Sequence, residues 1–413
     1  MKILLLSTQD ISGGAARASY RLHKGLQNIG INSQMLVQEK NSDDKTVLAP
    51  RIRMFQGLAR SKLTFDTLPL KFYRQRSENI FSLQWLPDRV IPKIAAINPD
   101  IINLHWISGA FVHIETLAKL KQPLVWTLHD MWAFTGGCHY SGDCERYIKS
   151  CGTCPQLGSN KDWDLSRWVW KRKTNAWKKL NLTIVTPSSW LARCARDSSL
   201  FQDLRVEVIP YGVDVQTYRP IERHIARKLL KLPQDKQLVL FGSLRATSDK
   251  RKGFHLLQAA LEELSKSGWK DRLEVVIFGA SQPENPPDFG FQAHYVGTLN
   301  DDLSLAVVYS AADVFVLPSI EENLANTVME AIACGTPSVA FNIGGMPDMI
   351  EHQKNGYLAQ AYKVEDLAQG IAWVLENQER HRQLSYFARE KVLQEFTLEI
   401  QADHYKSLFQ EIC

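Results

Sequence analysis

Two glutamates eight positions apart, Glu322 and Glu330, lie in the most chemically loaded stretch of the chain, residues 318–351. Glu322 closes a loop after the apolar run ADVFVLP, and Leu324, Val328, Ala331 and Ile332 then recur at helical spacing. Asn323 or Asn326 is placed to cap that helix. On one helical track the two carboxylates lie about 12 Å apart, from a rise of ~1.5 Å per residue. N–H groups at the helix start can face an anion between them. Two acceptors around an anion cradle suit an extended ligand such as a nucleotide sugar, with one carboxylate at the hexose and the other at the ribose. Solvated glutamates on an outer helix face would give the same spacing, so the surrounding residues carry the argument.

After this helix come a stop, Cys334-Gly335-Thr336-Pro337, an apolar strand SVAF, and a turn Gly344-Gly345-Met346-Pro347-Asp348. The order resembles the E-x7-E signature and the GG-x-P-[DE] turn of the family 4 retaining glycosyltransferases, and the resemblance extends over essentially the whole chain. It implies an α/β protein of the GT-B fold, with two Rossmann-like domains facing each other across a cleft.

The rest of the chain has the elements such a site needs. KILLLS, a Gly-rich turn, the helix AARASYRLHKGLQNIG, SQMLVQ, DIINLHW, PLVWTLHD and NLTIVTPSS form a βα pattern with a parallel sheet. Ligands of open parallel sheets collect beyond the carboxyl ends of the strands, which places Gly13, Gly14, His105, His129, Asp130 and Ser188 along one rim. The pattern breaks in VEVIPYGVDVQTYRP and restarts with QLVLFGS, LEVVIFGA, HYVGTL, DVFVLPS and PSVAF. The expected organisation is an acceptor-side domain over 1–209 with a Cys-rich segment at 136–156, and a nucleotide-sugar domain over 210–387. A helical segment, 388–413, is expected to cross back to the first domain.

The resemblance also implies roles. Lys252 stands where the family has a lysine at the donor phosphates. Ser243 replaces the arginine usual after the first glycine of this segment, so Arg245 or Arg251 is expected to supply that charge. Val296 and Gly297 match the segment passing the nucleobase. Glu330 takes the ribose, and Glu322 approaches the transferred sugar with the backbone N–H groups of Asn323, Leu324, Ala325 and Asn326. His129 resembles the histidine facing the donor sugar, and Gly13 and Gly14 the loop that lets the backbone approach the ligands. The implied mechanism retains configuration, needs no protein nucleophile and no metal at the catalytic centre, and neutralises the leaving diphosphate with cations and helix N-termini. Taken singly, each residue has a plainer explanation. DKRK reads as a solvated charge run, Val296-Gly297 as a strand end, Gly13-Gly14 as a helix entry, and His129 as a satisfied structural residue.

At 413 residues the chain is long enough for two such domains. No apolar run approaches the ~20 residues of a membrane span, and MKILLLSTQD reads as a core strand rather than a secretion signal. A cytoplasmic protein is expected, free or peripheral to the inner face of the membrane. The net charge of +5 divides into +12 over residues 1–210 and −7 over the remainder. A basic half of this kind attracts anionic lipid, a phosphorylated acceptor or nucleic acid, or is simply a solvated surface.

Four of the seven cysteines, Cys138, Cys144, Cys151 and Cys154, follow one another as C-x5-C-x6-C-x2-C. In a cytoplasmic chain this pattern suits structural zinc or metal-free thiols about equally, ahead of disulfides. Similar insertions occur in exopolysaccharide transferases of the colanic-acid type, which points to a saccharide or lipid-linked acceptor and to polysaccharide assembly. Trp163, Trp170 and Trp177 recur every seventh residue beside Lys171, Arg172, Lys173, Lys178 and Lys179, the pattern of an interfacial helix or of core packing with a solvated outer face. The single D-x-D, Asp162-Trp163-Asp164, reads as surface.

The donor is expected to be a UDP-, GDP- or ADP-linked sugar, and the composition does not choose among these bases. Two other readings are a phosphorylase-type enzyme of the same fold, for which no pyridoxal-phosphate lysine segment is found, and a zinc-bearing nucleic-acid module. The latter explains the charge asymmetry but leaves residues 318–351 unexplained.

Overall fold

The computed structural model describes residues 1–49, 61–242 and 249–413. The chain divides into two compact units, Met1–Pro210 with Gln401–Cys413, and Tyr211–Ile400. Arg245 lies outside the described residues.

In the first unit seven strands pair in parallel: β1 (Lys2–Gln9), β2 (Asn32–Glu39), β3 (Val47–Leu48), β4 (Ile101–Leu104), β5 (Leu124–Thr127), β6 (Leu182–Thr186) and β7 (Val206–Val208). Their spatial order is β3-β2-β1-β4-β5-β6-β7. IINL and LVWT are buried along their whole length, as a parallel sheet covered on both faces requires. The order reverses between β1 and β4, where open sheets hold ligands. Helices α1 (Gly14–Asn28), α2 (Val90–Ile97), α3 (Leu165–Trp177) and α4 (Ser189–Asp197) belong to this unit.

The second unit holds a six-stranded parallel sheet of order β10-β9-β8-β11-β12-β13, formed by β8 (Gln237–Gly242), β9 (Leu273–Phe278), β10 (Ala293–Gly297), β11 (Val314–Leu317), β12 (Ser338–Phe341) and β13 (Gly356–Ala359). Its switch point lies between β8 and β11. The helices are α5 (Arg223–Leu230), α6 (Phe254–Lys266), α7 (Asp302–Ala311), α8 (Asn326–Ala333), α9 (Met346–Met349), α10 (Val364–Glu376) and α11 (Gln378–Glu395).

The change of unit near the C-terminus comes later than residue 388. Leu384 of α11 is part of the second unit's core, and the division falls at Gln401 within α12 (Leu398–Ile412). From there Ala402, Tyr405, Leu408 and Phe409 pack with Ile3, Leu5, Leu22, Val125 and Val185. Each large side chain buried this way contributes about 1.5–3 kcal/mol, enough to hold the segment on the first sheet. Among the described residues no helix is long and apolar enough to cross a membrane.

The Trp/Lys helix packs inward. In α3, Trp177 is buried, and its Nε1–H donates to the Ile114 carbonyl at 2.9 Å. Lys173 is wholly buried, donates to the carbonyls of Trp132 and Thr135, and lies 3.7 Å from the Trp132 ring centroid. Burial lowers its pKa to about 7. Of the heptad tryptophans Trp163 is exposed. The D-x-D is only half a surface feature. Asp162 pairs with Arg167 in solvent, while Asp164 is buried, caps α3 by accepting from the Arg167 N–H at 3.0 Å, and with its other oxygen accepts from the Cys154 N–H at 2.8 Å. All seven cysteines are free thiols; Cys138, Cys151 and Cys154 are buried in the first core. Among the described residues no group of three or more His, Cys, Asp or Glu side chains is arranged to hold a metal ion.

Candidate active site

In the second unit the site is assembled at the switch point. The loop after β11, residues 318–325, is held from two sides by glycines. A Cβ on Gly253 (φ +71°) would stand 1.8 Å from the Pro318 carbonyl oxygen, and one on Gly344 (φ +52°) 1.8 Å from that of Glu322. Only glycine permits both the left-handed backbone and the contact. The Ile320 N–H donates to the Arg251 carbonyl at 2.9 Å and the Gly345 N–H to that of Asn323 at 2.8 Å. The GG-x-P-D turn thus grips the Glu322 loop.

The Lys252 ammonium donates to the Glu322 carboxylate at 2.7 Å, and the Arg251 guanidinium lies 3.6 Å from the same oxygen while donating to the Glu321 carbonyl at 2.9 Å. Burial opposes ionisation of Glu322, yet Lys252, Arg251 and the Asn323 N–H outweigh it and hold the carboxyl below its ordinary pKa. The site therefore contains a fixed carboxylate, with two cations beside it. Arg251, the alternative to Arg245, is the cation that is described there.

The helix behind this loop differs from expectation at its start. Ala325 is the N-cap, and no side chain caps α8; neither Asn323 nor Asn326 takes that role. An uncapped start presents backbone N–H dipoles outward, the arrangement that favours an anion. Glu330, one turn inside, is buried and accepts from the Tyr309 hydroxyl at 3.0 Å. Val296 and Gly297 end β10 at a register shift, with Gly297 at φ +73° and its carbonyl accepting from the Gly279 N–H at 2.8 Å.

In the first unit, Gly13 is the N-cap of α1 at φ +95°, with open space where a Cβ would be, and Gly14 begins the helix. Asp10, fully buried, ties this loop to its neighbour by accepting N–H bonds from Ile11, Asn41 and Ser42. His105, His129 and Asp130 follow the ends of β4 and β5, and Ser188 caps α4 by accepting from the Leu191 N–H.

His129 pairs with His105, Nε2 to Nδ1, at 3.0 Å. Burial lowers the pKa of His129 to about 4 against the raising effect of Asp130, and pushes that of His105 well below its usual value. Both rings are neutral at pH 7. Asp130 contacts the His139 ring at 2.7 Å and accepts from the Trp106 indole N–H and the Trp132 N–H, each at 2.9 Å. Burial disfavours its charge, but His139 and these donors keep its pKa below normal.

The sequence reading did not find the His105–His129 pair, the Tyr309–Glu330 bond or the Asp10 staple. A signal for the first was present: each of the adjacent strands β4 and β5 is followed within two residues by a histidine, His105 and His129.

Residues 12–217 match the model of Glycosyltransferase Family 4, and residues 223–391 that of Glycosyl transferases group 1. A D-inositol 3-phosphate glycosyltransferase of Saccharomonospora viridis is 31% identical over 329 residues, 76% of this chain and 70% of its own length. The chain belongs to glycosyltransferase family 4. Other family relatives align over less of their own length. A Segniliparus rotundus D-inositol 3-phosphate glycosyltransferase is 32% identical over 43% of this chain and 41% of its own. The Arabidopsis thaliana sulfoquinovosyl transferase SQD2 is 27% identical over 74% of this chain and 56% of its own. Among solved structures, sucrose-phosphate synthase from Thermosynechococcus elongatus superposes with a TM-score of 0.69 at 19% identity, covering 100% of this chain and 99% of the other. Anabaena HepE, determined with UDP and glucose, gives 0.65 at 16% identity, covering 99% of each. These likenesses establish the GT-B fold for this family 4 chain.

Proposed function

We propose that this family 4 protein is a retaining glycosyltransferase that moves a sugar from a nucleoside-diphosphate sugar to a saccharide or lipid-linked acceptor. The observation that carries the reading is the Glu322 carboxylate, on a backbone packed against Gly344 and ion-paired with Lys252 beside the start of α8, which no side chain caps. A ligand that combines a diphosphate with hydroxyl donors matches such a mixture of cations, backbone dipoles and carboxylates. The Anabaena HepE complex with UDP and glucose and the sugar-transferring relatives lend support for a nucleotide-sugar donor.

In the proposed reaction the acceptor hydroxyl attacks the anomeric carbon from the face the diphosphate leaves. The new C–O bond forms as the bond to the phosphate oxygen breaks, and that phosphate takes the hydroxyl proton. Lys252 and Arg251 stabilise the charge on the leaving group, Glu322 fixes the sugar and favours its developing positive charge, and Glu330 binds the ribose. His129, neutral, holds a donor-sugar hydroxyl. These protein groups would meet the electrostatic demand without a metal.

Exopolysaccharide or cell-envelope glycan synthesis is the proposed setting, with peripheral contact to a membrane. Support for that contact comes not from α3 but from residues 61–80, where Phe72 is 87% exposed and Phe65, Leu68 and Ile80 are exposed near Lys71, Arg74 and Arg76. Apolar and basic side chains together suit an anionic lipid surface.

The test is a panel of UDP-, GDP- and ADP-sugars, read by thermal shift and by release of free nucleotide. One nucleotide series should stabilise the protein and be slowly hydrolysed. No response from the folded protein to any donor would remove the transferase reading.

A further inference from the structure

A buried hydrogen-bond chain in the first unit has a direction that can be worked out atom by atom. Asn103 contacts the Val125 carbonyl at 3.1 Å and the Thr127 hydroxyl at 3.0 Å through one side-chain atom, and His105 Nε2 at 3.0 Å through the other. A carbonyl oxygen can only accept, so the atom facing Val125 is the amide nitrogen, and the atom facing His105 is the amide oxygen. That oxygen can only accept, so His105 carries its proton on Nε2. A neutral ring then has a lone pair on Nδ1, the atom 3.0 Å from His129 Nε2. The shared proton must belong to His129 Nε2, which leaves the lone pair of His129 on Nδ1. At the far end, the Thr127 hydroxyl meets the Tyr405 hydroxyl at 2.7 Å, so α12 also anchors the chain. Every member is buried.

We infer that Asn103, through His105, is a positioning residue that fixes His129 as the Nε2–H tautomer, so that Nδ1 can meet a donor-sugar hydroxyl only as a hydrogen-bond acceptor. The role at the sugar rests on the functional reading above; the tautomer does not. The direction is set by Val125, whose carbonyl belongs to a β-strand and cannot change polarity. Neutrality of both rings is required, and burial enforces it from both sides. Protonation of the His105 ring would put a proton on its Nδ1 and invert the bond to His129. Asp130 is the nearest anion identified beside His129, and it is engaged by His139, Trp106 and Trp132.

The experiment is long-range 1H–15N spectroscopy of the full-length protein labelled on histidine, with His105 and His129 assigned through His105→Gln and His129→Gln. Both rings should show protonated Nε2 and unprotonated Nδ1, unchanged between pH 5.5 and 8. Protonated Nδ1 on His129, or a charged ring at pH 7, would overturn the inference.

Asn103→Asp gives a second, independent reading. A carboxylate beside Nε2 should raise the His105 pKa and, once that ring is charged, drive its Nδ1–H toward His129 and invert the tautomer there. Turnover should then fall with decreasing pH by roughly tenfold or more, with a new apparent pKa that wild type lacks. A pH profile and a His129 spectrum unchanged in this variant would also overturn it. If the tautomer is as inferred but His129→Ala transfers sugar normally, the tautomer inference stands and the proposed role of His129 at the sugar falls.

Discussion

The two units build their candidate sites from opposite materials. At the switch point of the second sheet, Glu322, Lys252 and Arg251 are ionised and clamped to one another. At the strand ends of the first, His105 and His129 are held neutral and joined through Asn103 to Thr127 and Tyr405. The difference follows from what each would hold. A diphosphate is met by fixed charge and helix dipoles, which retain strength in a partly desolvated loop. Sugar hydroxyls are met by neutral donors and acceptors of defined direction, and burial supplies the neutrality while hydrogen bonds supply the direction. The His105–His129 pair tolerates deep burial because both rings are uncharged; the second site tolerates a buried carboxylate because two cations attend it.

The sharpest way to break this comparison is at the charged site. Glu322→Gln and Lys252→Ala should each lower kcat by about 10²–10³-fold, measured at a temperature where circular dichroism shows each variant folded. Near-normal turnover in either variant would sink the site assignment.

Gly344→Ala should act on the same site through the backbone. The added Cβ cannot coexist with the Glu322 carbonyl at 1.8 Å, so the loop must shift. Loss of stability of about 1–3 kcal/mol is expected, together with weaker donor binding by calorimetry. Unchanged donor affinity would mean that the turn does not set the Glu322 position.

Acid separates the units by a different route. The folded pKa of His129 and that of His23 are each lowered to about 4, chiefly by burial, against ~6.5 in an unfolded chain. The unfolded state therefore binds more protons in between. The stabilisation is fully present above pH ~6.5 and is lost as pH falls toward 4. His381 in the second unit has a lowered pKa for the same main reason, burial. Glu322 works over a lower range, because its depressed pKa removes stability only below the ordinary carboxylate value of ~4.3. Denaturant midpoints measured from pH 7.5 to 5 should fall in wild type and fall less in His129→Gln. Equal slopes would show that His129 is not a buried neutral group.

The smallest expected effect is at the ribose. Tyr309→Phe removes only the hydroxyl that donates to Glu330, and donor affinity should drop several-fold, an amount typical of one net hydrogen bond of about 0.5–1.5 kcal/mol. Glu330→Ala should weaken donor binding further, with calorimetry as the check.

Much of the fold was legible because its signals are local. Strands such as IINL and SVAF, buried on both faces, are continuous apolar runs, and the break at VEVIPYGVDV marks the place where Pro210 and Tyr211 part company. The Trp/Lys segment left two orientations open because a seven-residue tryptophan spacing on a basic helix does not say which side faces the core. Lys173 is buried there by partners from elsewhere in the chain, the carbonyls of Trp132 and Thr135. The cap of α8 was misplaced for a similar reason. Asn is a good cap in isolation, but the 318–325 loop is fixed by Gly253 and Gly344, and the helix begins where that grip ends.

The sequence by itself determined the parallel α/β plan, the family, and the residue types available at each strand end, since these depend on apolar periodicity and short motifs. Only the tertiary structure decided how those residues are paired. It joined Lys252 to Glu322 across seventy positions, gave Glu330 to Tyr309, and linked Tyr405 to His129 by a hydrogen-bonded chain across 276. Hydrogen bonds and ion pairs act over a few ångströms in space, and residues far apart in the chain meet only after the sheets have formed.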